Sequence, residues 1–145
     1  MNATHAAPQT ATAAYDVAAS VPDPELPLLT LADLGILRDV EQHGDAVTVT
    51  ITPTYSGCPA MREITADLRH RLERAGFVEV TIRARLAPAW TTDWISDEGR
   101  RKLAEAGIAP PNPAPQRRTG PVPLTLAARP RPLDCPHCGS SRTRE

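Results

Sequence analysis

AVTVTITPTYSGCPAMREITADLRHRLERAGFVEVTIRARL, residues 46–86, is the stretch whose periodicity decides the fold. It opens on strict alternation, with Val47, Val49 and Ile51 on one face of a strand and Thr48, Thr50 and Thr52 on the other. The period then changes. Between Pro59 and Ala75, residues Met61, Ile64, Leu68 and Leu72 recur at steps of three and four, the spacing of one apolar helix face. Gly76 ends that helix. Alternation returns in Val78–Leu86, where Val78, Val80, Ile82 and Ala84 are expected to face inward. The stretch therefore predicts a strand, a helix and a second strand in succession.

Working outward, Thr12–Ser20 predicts a short helix, and VPDPELP (21–27) ends it because three prolines remove backbone donors. Thr30 and Asp33 have capping-box spacing for one turn through Leu34, which Gly35 closes. Ile36–Glu41 reads as a strand joined to Ala46–Thr52 by a turn over Gln42–Asp45. Trp90–Ile95 reads as a loop, and Ser96 caps a last helix through Ala106, closed by Gly107. The order α-β-β-α-β-α predicts an α+β domain over residues 12–112, a small mixed three-stranded sheet packed with helices. Residues 1–11 are small, polar and expected to be disordered. Nine prolines lie between Pro110 and Pro136, so 113–134 reads as an extended Pro/Arg-rich linker leading to Cys135-Pro136-His137-Cys138.

The composition sets bounds. Apolar residues make up 41% of the chain, enough for a small core, and no run of about 18 apolar residues would span a membrane. The first residues carry neither a basic stretch nor a hydrophobic one of the secretory kind, and the three cysteines suit reduced thiols in a cytoplasm. From Pro110 onward, six arginines face only Asp134 and Glu145, so a mildly acidic domain carries a basic tail. That tail has no aromatic residue for base stacking, which argues against nucleic acid as a partner.

The best chemical lead is Cys58, placed between a strand and a helix. The unpaired N–H groups of a helix N-terminus favour a thiolate over a thiol of ordinary pKa about 8.5, and a thiolate binds metal or attacks electrophiles. The plain alternative is a small buried hydrophobe. Asp23 and Glu25 stand beside prolines, where a carboxylate ordinarily serves turn chemistry, and carboxylates as a class suit hard cations. Trp90 and Trp94 either pack in the domain or mark a partner surface. The hydroxyls of Thr52, Thr54, Tyr55 and Ser56 stand close to Cys58 in sequence.

VPDPELP (21–27), DLGILRDV (33–40), TPTYSGCPAM (52–61), APAWTTDWIS (87–96), GRRKL (99–103) and GIAPP (107–111) together resemble the D-subunit family of phenylacetyl-CoA epoxidase. That family lies within the wider SufT-like group of iron–sulfur and metal-assembly proteins, and the match covers about residues 12–112. The resemblance implies an accessory or maturation role rather than catalysis. Cys58 would be the ligand for iron or an iron–sulfur cluster held transiently, with Asp23 and Glu25 near it and Trp90 and Trp94 on a docking face. The implied partners are the other subunits of the epoxidase complex, and a homodimer sharing two Cys58 thiolates would add ligands. The family pattern ends in a zinc ribbon with two cysteine pairs. Here Cys135 and Cys138 form one pair within 135–145, an incomplete set for zinc, which takes four ligands. Two other functions fit the residues: a scaffold bridging the oxygenase components, and a thiol enzyme with Cys58 as nucleophile. The second lacks a histidine base in any motif around the cysteine.

Overall fold

The computed structural model describes residues 13–113, 134, 135 and 137–142. The expectations for residues 1–11, and for the linker apart from Pro113 and Asp134, fall outside the described residues. Helix α1 spans Ala13–Ala19, strand β1 Leu37–His43, strand β2 Ala46–Ile51, helix α2 Met61–Arg74, strand β3 Glu79–Ala84 and helix α3 Asp97–Glu105. A short 3-10 turn, Thr92–Trp94, precedes α3. The fold is α+β, as the sequence pattern predicts.

β2 is the central strand of a mixed sheet. β1 pairs with it antiparallel through the Gly44–Asp45 turn, where Gly44 takes φ +61°, and β3 pairs with it parallel, Val49 opposite Ile82. Parallel pairing requires a crossover, and α2 supplies it. The apolar face of α2 (Ile64, Leu68 and Leu72) is buried with Val47, Val49 and Ile51 in one core. α1 joins it through Ala14 and Ala18, whose lack of a longer side chain lets the helix lie against α2 and β1. Thr48 and Thr50 alternate to the other face of the sheet.

Local expectations shift at three elements. β1 runs Leu37–His43 rather than Ile36–Glu41, because Gln42 and His43 pair with Val47 and Ala46 and leave only Gly44–Asp45 as the turn. α2 begins at Met61 rather than Pro59, with Ala60 as an N-cap that offers no side-chain acceptor. β3 is shorter than Val78–Leu86, and of its four expected inward residues only Val80 is buried. Ile82 is half-buried, while Val78 (82% exposed) and Ala84 lie in solvent. An edge strand with a single neighbour has less of its length covered than alternation alone implies. The 30–35 turn forms as predicted: Thr30 Oγ1 accepts from the Asp33 N–H (3.1 Å), and Asp33 Oδ2 accepts from the Thr30 N–H (3.0 Å).

α3 buries Leu103 in the core, and its polar attachment runs through that turn. Asp33 Oδ2 accepts from Lys102 Nζ at 2.7 Å, the Asp33 carbonyl accepts from the Ser96 N–H at 2.8 Å, and Gly99 packs on the Asp33 backbone where a Cβ would meet the carbonyl oxygen at 2.8 Å. Burial alone would push the Asp33 carboxyl up. The Lys102 ammonium and the Thr30 hydrogen bonds outweigh it and hold the group below the ordinary carboxylate value.

Candidate functional site at the cysteine cleft

The strand directions gather three connections at one end of the sheet. β2 ends there at Ile51, antiparallel β1 begins there at Leu37, and parallel β3 ends there at Ala84. The 30–36 turn, the 52–60 loop and the 85–95 segment therefore meet beyond the carboxyl end of β2. A cleft of about 340 Å³ opens among them, with Asp23, Glu25, Cys58, Trp90, Ile108 and Pro111 in its walls and core leucines and isoleucines beneath. Four of the residues singled out in the sequence come together in it.

Cys58 is half-buried against the core and reaches the cleft. It sits three residues before α2, in a tight turn rather than in the first helical turn. Its N–H donates to the Tyr55 carbonyl (3.3 Å), and its own carbonyl accepts from the Met61 N–H (3.3 Å). Tyr55 is 54% exposed beside it. Desolvation, and after it the neighbouring Cys58 and Glu25 side chains, push the Tyr55 phenol up.

Asp23 is buried, and its Oδ1 accepts from the Glu25 N–H (2.9 Å) and the Leu26 N–H (2.8 Å). One carboxylate oxygen thus builds the turn that presents Glu25, which is exposed. Trp90 donates its indole N–H to the Leu34 carbonyl at 2.7 Å, fixing the ring in the cleft wall. Trp94 is absent from the cleft. It lies under the Arg38 guanidinium, 3.7 Å from the ring centroid, and its backbone packs on Gly35, where φ is +68° and a Cβ would meet the Trp94 carbonyl oxygen at 2.4 Å.

Thr52, expected among the loop hydroxyls, is buried at 1% exposure. Its Oγ1 is the buried side-chain polar atom without a hydrogen-bond partner among the described residues. Cys135 and Cys138 stand in a turn of their own, in which the Cys135 carbonyl accepts from the Gly139 N–H (2.7 Å) and the Cys135 N–H donates to the Ser140 carbonyl (2.9 Å). Backbone N–H groups of His137 and Cys138, followed by the Cys138 side chain, pull the Cys135 thiol down. The His137 ring covers Gly107, whose Cβ would come within 2.9 Å of the imidazole. Among the described residues no three histidine, cysteine or acidic side chains are close enough to hold a metal ion, and no helix is long and apolar enough to cross a membrane.

Sequence reasoning missed Arg100 as part of this site. Its Nη1 donates to the Pro111 carbonyl (2.7 Å) and its Nη2 to the Thr92 carbonyl (2.8 Å), so one guanidinium ties together two segments of the cleft wall. Nothing in GRRKL distinguishes it from the exposed Arg101, which pairs with Glu98 and Glu105 on its own helix.

Residues 12–82 match the family model described as iron–sulfur cluster assembly protein. The protein assigned as the D subunit of 1,2-phenylacetyl-CoA epoxidase in Escherichia coli (strain K12) is 46% identical over 91 residues. The matched part is 63% of this chain and 55% of that protein, so the chain spans about half the length of that relative. An Fe-S protein maturation auxiliary factor of Porphyromonas gingivalis is 37% identical over 86 residues, covering 58% of this chain and 81% of that one. Among solved structures, a domain of unknown function (DUF59) from Bacillus anthracis superposes with a TM-score of 0.57 at 26% identity, covering 62% of this chain and 87% of the other. A conserved hypothetical protein from Thermotoga maritima gives a TM-score of 0.52 at 26% identity, over 65% and 95% of the two chains.

Proposed function

The chain belongs to the iron–sulfur cluster assembly protein family, and we propose that it serves as a maturation factor that carries iron or an iron–sulfur cluster on Cys58 to a phenylacetyl-CoA epoxidase. The observation that carries this reading is the convergence of a half-buried thiol, the exposed Glu25 carboxylate and the Asp23 turn in one cleft.

The donor set suits cargo rather than a resident group. A closed metal site needs about four ligands, whereas this cleft offers one sulfur and an exposed carboxylate at its rim. Thiolate is the softer donor, suited to cluster iron, and Glu25 is the harder one, suited to a free ferrous ion. A site that holds its cargo by few bonds releases it readily when a recipient supplies the rest. A second copy or the recipient itself would complete the coordination. The Cys58 turn keeps its own backbone groups paired, so the thiol can exchange ligands without unfolding the loop.

The test is the iron content and activity of the epoxidase oxygenase matured with this protein, with Cys58→Ala, or with neither. Equal loss in the last two, with a folded variant, supports the proposal. A variant as effective as the parent overturns it and favours a bridging scaffold. Iron retained with activity lost would place the role after metal delivery.

A further inference from the structure

We infer that Arg100 is a clasp that fixes the segment 108–112 as one wall of the Cys58 cleft and so sets the size of what reaches the thiol. The inference rests on the reading of Cys58 as the working group and adds to it a residue that governs access.

The segment has no regular secondary structure. It starts at Gly107, whose φ of +75° turns the chain out of α3, and the Ile108 N–H returns to the Leu103 carbonyl at 2.9 Å. Ile108, Ala109 and Pro111 then pass along the cleft. Few bonds hold them there. Arg100 grips the Pro111 carbonyl and, with its other terminal nitrogen, the Thr92 carbonyl of the adjoining segment, while Thr92 Oγ1 makes a longer contact to the Asn112 carbonyl (3.4 Å). A charged donor bonded to two carbonyls is stronger than a neutral pair, and the planar fork anchors 108–112 to the Thr92 segment beside it. Ile108 is 40% exposed, so swinging the segment outward costs little apolar burial. The clasp therefore decides the balance between a narrow cleft and a wide one.

The experiment compares alkylation of Cys58 by N-ethylmaleimide and by a bulky dye maleimide, each quantified on the Cys58 peptide by mass spectrometry, so that Cys135 and Cys138 do not enter the reading. In Arg100→Gln, verified as folded by circular dichroism, the bulky-reagent rate should rise at least about tenfold relative to the small-reagent rate, since two charge-assisted bonds are lost. An unchanged ratio overturns the inference. If Arg100→Gln does not fold, Arg100→Lys carries the same test, because it keeps the charge and the stem but gives up the fork. No iron is present in the assay, so this result stands apart from the fate of the maturation reading.

Discussion

Replacing Asp33 with asparagine tests what holds α3 to the body. The substitution keeps the side-chain shape and an acceptor for the Thr30 N–H, and it removes the charge that Lys102 meets at 2.7 Å. The side chains are 10% and 28% exposed, so solvent screens the pair only in part. A hydrogen bond to a charged group contributes about 1.5–3 kcal/mol, and here the lost bond also leaves the ammonium half-buried without its partner. The expected loss is about 2 kcal/mol, or about 10 °C in melting temperature for a domain of this size. The pH dependence has a definite sign. The folded-state pKa of Asp33 lies below its ordinary value, so its contribution is complete above the unfolded carboxyl pKa of about 3.9 and is lost as pH falls through the lower folded value. Thermal melts of parent and Asp33→Asn should differ by a constant gap at neutral pH, and the gap should close under acid conditions. Equal melting temperatures at pH 7 would refute the reasoning, and so would a gap that persists below the folded pKa.

Two further sites probe the same frame. Gly35→Ala places a Cβ against the Trp94 carbonyl at a positive φ and should cost at least about 2 kcal/mol in urea unfolding. Gly44→Ala, with nothing within 4 Å, should cost only the conformational part, about 1 kcal/mol, and equal costs would show that the Trp94 contact is slack. Thr52→Val exchanges an unpartnered buried hydroxyl for a methyl of similar volume and should raise stability by about 1 kcal/mol. A destabilised Thr52→Val would mean that the hydroxyl has a partner in solution.

Most of the frame was legible because each element carries its own period or cap. Val47, Val49 and Ile51 announce β2; Ile64, Leu68 and Leu72 announce α2; Thr30 with Asp33 and Ser96 with Gly99 mark turn and helix starts that form as their spacing requires. The misread inward face of β3 has a physical cause. Alternation reports which residues could be buried, whereas the side chains of Val78 and Ala84 stay exposed even though their backbones are paired. Within the site, Cys58, Asp23, Glu25 and Trp90 stood out by type and motif. The pairing of Trp94 with Arg38, and the two carbonyls gripped by Arg100, depend on contacts between separate segments that no local pattern records.

The strand order also separates the molecule into a working end and a handling end. The Gly44–Asp45 turn closes the hairpin at the end of β2 opposite the cleft, about six residues or roughly 20 Å away along the strand. His43, Gly44 and Asp45 are exposed there, and space around Gly44 is open. A fluorophore, an affinity handle or a surface linkage attached at His43 or Asp45 would leave the cysteine cleft facing solution. The fold thus offers an immobilisation point from which reactions at the Cys58 thiol can be followed on a fixed molecule.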